Sequence, residues 1–143
     1  MSLIQEVAHK LGGAAELGAN VHSQADLVLV VRNRLPLAAL KRLAQAGFSE
    51  TEIERFVIPQ RTRRHRAERN QPLTVEESDR AVRLLRIQTL AEEIFADKGK
   101  AAVWLRRPLS ELNGESALDI AETEAGARLI ETILAKIGWG AAA

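Results

Sequence analysis

Apolar residues recur every three or four positions in several stretches of the chain, which is the spacing of one face of an α-helix. In residues 3–11 this pattern predicts a first helix, and Gly12 and Gly13 are expected to end it. Residues 23–34 are less clear. Ser23 and Asp26 have the spacing of a helix start, whereas the run LVLVV that follows is also typical of a strand.

Turn and capping residues divide the next part of the chain into three short helices. Pro36 suits the first turn of a helix that runs to about Ala46, and Gly47 can cap its end in the left-handed conformation. The sequence from Ser49 to Glu52 is a capping box that opens the second helix. Pro59 then suits the first turn of the third helix. This order is that of a helix-turn-helix unit: a helix, a glycine turn, a short helix, a break and a further helix.

A long helix is expected after this unit. Residues 70–72 (Asn-Gln-Pro) break the chain, and Thr74 with Glu77 forms another capping box for a helix that reaches about Phe95. Three arginines of that helix are expected on its solvent side: Arg80, Arg83 and Arg86.

The last part of the chain predicts smaller helices. They cover residues 101–105, the region of residues 118–120 and residues 123–137, with a turn in LNGES and a tail, GWGAAA. The apolar stripe of the final helix (Leu129, Ile130, Ile133, Leu134, Ile137) is expected to face the core. We predict an all-α fold with an N-terminal helix (1–21), a helix-turn-helix region (22–72), a connecting helix (73–96) and a small helical C-terminal domain (97–143).

Positive charge is concentrated in one decapeptide, although the net charge of the 143-residue chain is +1. The segment QRTRRHRAER, residues 60–69, occupies the third helix of the predicted unit, where it would face the major groove of DNA. The candidate DNA-binding residues are Gln60, Arg61, Thr62, Arg63, Arg64, His65, Arg66 and Arg69. The alternative is a solvated helix face without a ligand. RNA is less favoured, because no aromatic side chain for base stacking lies nearby.

Composition narrows the remaining classes of function. The chain has no cysteine, which excludes disulfides and thiolate metal sites. No apolar run approaches the roughly 20 residues that span a bilayer, and the segment MSLIQEVAHKLGG lacks the layout of a signal peptide, so we expect a soluble cytoplasmic protein. Phosphate-binding loops, HExxH and nucleophile elbows are missing from the sequence. We therefore expect no enzymatic activity and no metal site.

The C-terminal stretch from Ala101 to Gly140 resembles the toxin-binding domain of the Xre/MbcA/ParS antitoxin family, and the part before it resembles the Xre-type helix-turn-helix. The resemblance covers about residues 22–140. One departure is Ala117, which stands where the family commonly has proline. The matching residues are Arg61-Thr62, Leu73-Thr74-x-x-Glu77-Ser78, Trp104-Leu105, Pro108-Leu109, Leu112-x-Gly114, Leu118, Thr123-x-x-Gly126 and Ile137-Gly138.

This resemblance implies the antitoxin of a type II toxin–antitoxin pair. Such an antitoxin would dimerise, bind its own promoter DNA and neutralise a RES-domain toxin that consumes NAD⁺, with residues 97–143 as the toxin-binding domain. The NAD⁺ chemistry would belong to the toxin, so no cofactor is expected on this chain. The candidate toxin-binding residues are Trp104, Leu105, Arg106, Arg107, Lys136 and Trp139.

Several alternatives stay open at this level. Trp104 also fits the core of a small helical domain. Trp139 lies between glycines in the expected tail, and the segment from Lys136 to Ala143 could reach the substrate cleft of the toxin. The runner-up function is a helix-turn-helix transcription regulator whose C-terminal helices only dimerise or sense a ligand. A protein-binding adaptor without DNA contact is a third possibility.

Overall fold

A computed structural model describes residues 1–142, the last two through their backbone alone, and every regular element in this range is helical. The predicted all-α class is therefore confirmed. The elements are α1 (Leu3–Lys10), α2 (Gly13–Leu17), α3 (Gln24–Arg32), α4 (Ala39–Gln45), α5 (Glu50–Phe56), α6 (Gln60–Glu68), α7 (Val75–Phe95), α8 (Lys98–Arg106), a 3-10 turn (Ser110–Leu112), α9 (Ala117–Ile120) and α10 (Glu124–Ala142).

The chain divides into two compact units, and the boundary falls inside α7. The N-terminal unit runs from Met1 to Leu85, and the C-terminal unit begins at Arg86. Within residues 1–142, no helix combines the length and the apolar character needed to cross a bilayer.

Capping boxes set the starts of several helices because they satisfy backbone N–H groups that have no partner inside the helix. At α3, Asp26 N donates to Ser23 Oγ (3.2 Å) and Ser23 N donates to the Asp26 carboxylate (3.2 Å). The strand alternative for LVLVV is therefore wrong. The boxes predicted at Ser49 and Thr74 are present, and another occurs at Ser116.

Some boundaries differ from the prediction. Pro36 lies outside α4 because residues 36–38 form a turn in which Ala39 N donates to the Pro36 carbonyl (2.9 Å). Pro59 precedes the first residue of α6, since its ψ of 143° is not helical. The short helix α2 was not predicted. It begins at Gly13, directly after Gly12, and the φ angles of these two residues (68° and 106°) suit glycine.

The expected C-terminal tail is helical as far as residue 142. Gly138 allows the close approach of α10 to α7, because a Cβ atom at this position would lie 2.7 Å from Ile94 Cδ1. Trp139 is thus a helical residue. Ala143, the end of the segment proposed to reach the toxin, lies outside the described residues.

The core of the N-terminal unit surrounds the linkers that precede α4 and α7. Arg34, at φ 65°, donates to the Leu73 carbonyl (2.7 Å), and the backbone N–H of Leu35 donates to the fully buried hydroxyl of Ser78 (2.9 Å). These bonds tie the start of α7 to the chain before α4. The largest fully buried side chains of this unit are Leu11, Leu35, Leu40, Leu43, Ile53, Ile58, Leu73 and Leu85.

The C-terminal unit has its own apolar core. Trp104 packs beside Phe95, with ring centroids 5.8 Å apart and planes at 48°. Ile130 and Leu134 of α10 are fully buried, but Leu129 of the same apolar stripe is 46% exposed. The prediction that Leu129 faces the core is therefore wrong. Other buried residues are Ile87, Ala101, Leu105, Leu109, Leu118 and Ala127.

Candidate functional site

The basic segment forms α6, which follows α5 after the three-residue turn 57–59. Val57 and Ile58 of this turn are buried. Arg80 of α7 holds the turn from outside: its Nε and Nη2 atoms donate to the Val57 carbonyl at 3.1 and 2.9 Å. The direction in which α6 leaves the turn is thereby fixed by α7.

A second contact anchors the middle of α6. The guanidinium of Arg66 binds both carboxylate oxygens of Glu77, with the Nη2–Oε2 pair at 3.2 Å, and the two side chains are 16% and 7% exposed. Burial alone would raise the pKa of Glu77, but the hydrogen bond from Arg66, the bonds from Thr74 and the Arg66 charge outweigh burial and lower that pKa. Arg66 is thus neutralised inside the protein.

A third contact pairs another of the predicted DNA-binding arginines with a carboxylate. Arg63 Nη1 donates to Glu50 Oε2 at 2.7 Å, which joins α6 to the first turn of α5. Thr62 is half-buried on the same inner side of α6. Three of the eight predicted DNA-binding residues therefore face the protein or an acidic partner.

The other predicted residues project into solvent. Gln60, Arg61, Arg64 and His65 share the exposed side of α6, from its first residue to its last turn, and Arg69 is exposed at its C-cap. Recognition helices of this class use their N-terminal residues to contact base edges. This solvent-facing side, which we call the exposed half of α6, is therefore the candidate nucleic-acid interface. Its role in DNA binding stays a prediction.

The predicted toxin-binding residues separate into buried and exposed groups. Trp104 and Leu105 are buried in the C-terminal unit, and the half-buried Arg106 donates to the Ala102 carbonyl (3.1 Å). Arg107 and Lys136 are exposed, and 78% of Trp139 is exposed. Whether these residues bind a toxin stays a prediction. Three of them are accessible to a partner: Arg107, Lys136 and Trp139.

Two of these residues belong to a continuous surface of α10. Leu129, Thr132, Lys136 and Trp139 follow one another at helical spacing and are all exposed. We call this surface the α10 face. Leu129 was missed because its place in the apolar stripe of the final helix predicts a core residue. Its spacing to Lys136, seven residues or about two turns, was the signal that could have placed it.

Arg86 fixes the orientation of α10 within the C-terminal unit. It donates to Glu124 and Glu131, each at 2.8 Å. Burial lowers the pKa of Arg86, but the charges and hydrogen bonds of Glu131 and Glu124 outweigh burial, and the pKa is raised. The prediction that Arg80, Arg83 and Arg86 lie on the solvent side is wrong, because all three are half-buried and bonded to protein groups.

The motif Thr123-x-x-Gly126 has a clear structural role at the start of α10. Thr123 Oγ1 accepts a hydrogen bond from Gly126 N (3.0 Å). A Cβ atom on Gly126 would lie 1.6 Å from the Ile120 carbonyl oxygen. Glycine is therefore required for α9 and α10 to meet. Among residues 1–142, no group of three or more histidine or carboxylate side chains is placed to hold a metal ion.

Comparisons with known proteins match both regions. A family model described as the antitoxin Xre-like helix-turn-helix domain matches residues 26–86. A second, described as the antitoxin Xre/MbcA/ParS C-terminal toxin-binding domain, matches residues 90–140.

Individual relatives agree with these models. An Antitoxin Xre of Pseudomonas putida is 41% identical over 102 residues, which is 71% of this chain and 64% of the relative. An Antitoxin Xre of Yersinia enterocolitica is 33% identical over 97 residues, 66% of each protein. A Prs ADP-ribosylating antitoxin of a Sphingobium species is 26% identical over 130 residues, 83% of this chain and 82% of the relative. The chain thus spans slightly less than two thirds of the first two relatives. Because adjoining regions of one sequence match both domains of the same kind of protein, the chain belongs to the Xre/MbcA/ParS-type antitoxin family.

Proposed function

We propose that this chain is the antitoxin of a type II toxin–antitoxin pair, which neutralises a toxin through its C-terminal unit and binds its own promoter DNA through α6. The observation that carries the proposal is the pairing of two matched domains, each with an exposed surface of suitable chemistry. For the division of the chain into functional regions we keep the predicted ranges: 1–21, 22–72, 73–96 and 97–143.

Promoter binding rests on the exposed half of α6. Arg61, Arg64 and Arg69 are exposed and have no ion-pair partner among the described residues. Three phosphate contacts predict that log affinity falls with log salt at a slope of about −3 per protomer. A flat salt response in fluorescence anisotropy with the promoter duplex would favour the adaptor alternative, which makes no DNA contact.

The toxin is proposed to be a RES-domain protein that consumes NAD⁺. The Prs ADP-ribosylating antitoxin, which is similar over most of this chain, is consistent with such a partner. Exposed tryptophans are also typical of residues that contribute strongly to protein interfaces, and Trp139 lies about one turn after Lys136 on the α10 face. The α10 face, together with Arg107, is the proposed contact.

Co-expression with the neighbouring reading frame tests this partner. The mass of the purified complex should show a second protein bound to this chain, and its NAD⁺ consumption should be inhibited. Trp139→Ala should weaken toxin binding by about 30-fold, as expected for a central interface tryptophan. Val28→Ala, an exposed apolar residue of the N-terminal unit, is the matched control and should bind like wild type.

The proposal that residues 136–143 block the toxin's substrate cleft requires a separate test. A chain that ends before Trp139 should still bind the toxin through Arg107 and Leu129 but should inhibit NAD⁺ consumption less. Equal inhibition at saturating antitoxin would reject the blocking role. Purification of the chain without any partner, with duplex binding intact, would support the transcription-regulator alternative.

The active species is proposed to be a homodimer, because a helix-turn-helix protein commonly reads two half-sites. Sedimentation of the chain with and without a promoter duplex measures this directly. A single protomer on each duplex at saturation would reject the dimer.

A further inference from the structure

An open groove of about 550 Å³ lies beside the candidate nucleic-acid interface. It is lined by Lys41 of α4 and by Ala38 of the turn before α4, by Gln60, Arg63 and Arg64 of α6, and by Glu50 of α5. The groove therefore extends the candidate nucleic-acid interface from α6 to α4. No residue of α4 is among the predicted DNA-binding residues.

The charges in this groove do not cancel. It contains three cations and one carboxylate, and the carboxylate of Glu50 is already bonded to Arg63 at 2.7 Å. Lys41 and Arg64 are exposed and have no ion-pair partner within the described residues. The groove thus offers two uncompensated positive charges, one on α4 and one on α6.

The other sides of α6 are less suitable for an anion. The neighbouring helix α5 carries Glu52 and Glu54 outside the groove, and Glu68 is exposed near the C-terminal end of α6. A phosphate that approached from either of these directions would meet negative charge. The charge distribution therefore favours an approach from the α4 side.

We propose that the groove holds a backbone phosphate of the bound duplex, and that Lys41 is a DNA-contacting residue together with Arg64. This inference rests on the proposed promoter binding and adds a second helix to it. An ammonium group binds phosphate as a point charge without reading sequence, so Lys41 sets the position of the protein on the duplex.

The test compares Lys41→Gln with wild type by fluorescence anisotropy, using the promoter duplex and a scrambled duplex over a range of salt concentrations. Loss of one phosphate contact should reduce the magnitude of the log–log salt slope by about 0.9 per protomer. Affinity should fall by the same factor for both duplexes. Lys100→Gln, an exposed lysine of the C-terminal unit, is the matched control and should leave the slope unchanged.

The outcomes separate the inference from the function on which it rests. If wild type shows no salt-dependent binding to either duplex, the proposed promoter binding itself is wrong. If wild type binds and Lys41→Gln has the wild-type slope, promoter binding stands and the Lys41 contact is overturned. A change in the ratio of affinities for the two duplexes would also overturn it, because Lys41 would then read a base. Finally, titration with inorganic phosphate tests whether the groove binds a free anion. If phosphate binding requires Lys41 and duplex binding does not, the groove is a site for a free anion and the proposed contact with the duplex is overturned.

Discussion

At the scale of single residues, the arginines of α6 have different roles although they are adjacent in sequence. Arg66 is neutralised by Glu77, Arg63 by Glu50, and Arg61 and Arg64 face solvent. The partner of Arg66 lies eleven residues away on another helix. Periodicity can show which arginines share a side of α6, but it cannot show which carboxylate lies opposite that side.

The pair Arg66→Ala and Arg64→Ala separates a structural arginine from a ligand-binding one. Arg66→Ala leaves the buried Glu77 carboxylate without its cation, so the free energy of unfolding of the N-terminal unit should fall by about 3–5 kcal/mol. Chemical denaturation followed by circular dichroism measures this. Arg64→Ala should unfold like wild type and lose duplex affinity. Equal stability of the two variants would contradict the assignment of Arg66.

Glu77 predicts a specific dependence of stability on pH. Because its pKa in the folded unit is below the ordinary value of 4.5, the folded state gains stability from this group above about pH 4.5. That gain is lost as the pH falls through the lower, folded-state pKa. Glu77→Gln should therefore show a flatter loss of stability in this acid range than wild type. Glu76→Gln, an exposed neighbour, should keep the wild-type profile.

At the scale of helices, the starts marked by a capping box were predictable, whereas the starts expected at Pro36 and Pro59 and the extension of α10 were not. The boxes at Ser23, Ser49 and Thr74 depend on residues three positions apart, so the sequence contains the whole interaction. The extension of α10 past Ile137 includes a contact of Gly138 with Ile94, which is distant in sequence. The same limit explains the misplaced Arg80 and Arg86, whose partners lie on other elements.

The junction of α9 and α10 depends on the absence of a side chain at Gly126. Gly126→Ala would place a methyl group against the Ile120 carbonyl oxygen, and the required backbone shift should cost about 1–3 kcal/mol or more. Gly140→Ala is the matched control, because a Cβ atom there would have no neighbour within 4 Å. It should leave stability unchanged or raise it by about 0.5–1 kcal/mol. Thermal unfolding of both variants compares the two sites, and a Gly126→Ala variant as stable as Gly140→Ala would disprove the close contact.

At the scale of the whole chain, the two candidate surfaces belong to different compact units. The exposed half of α6 lies in the unit that ends at Leu85, and the α10 face lies in the unit that begins at Arg86. The sequence predicted which stretches carry the two surfaces through their charge and their resemblance to a known family. It could not separate the buried Trp104 from the exposed Trp139, because burial depends on Phe95 and the rest of the C-terminal core.

This arrangement predicts that the two activities can be removed one at a time. Arg64→Ala should lower promoter affinity and leave toxin binding at the wild-type level, whereas Trp139→Ala should weaken toxin binding and leave promoter affinity unchanged. Both quantities can be measured on the same preparations, by anisotropy for the duplex and by calorimetry for the toxin. Because each substituted side chain is exposed and contributes little to its core, unfolding should not link the two effects. If either substitution abolishes both activities in a folded chain, the surfaces act as one site and the division of roles between the two units is wrong.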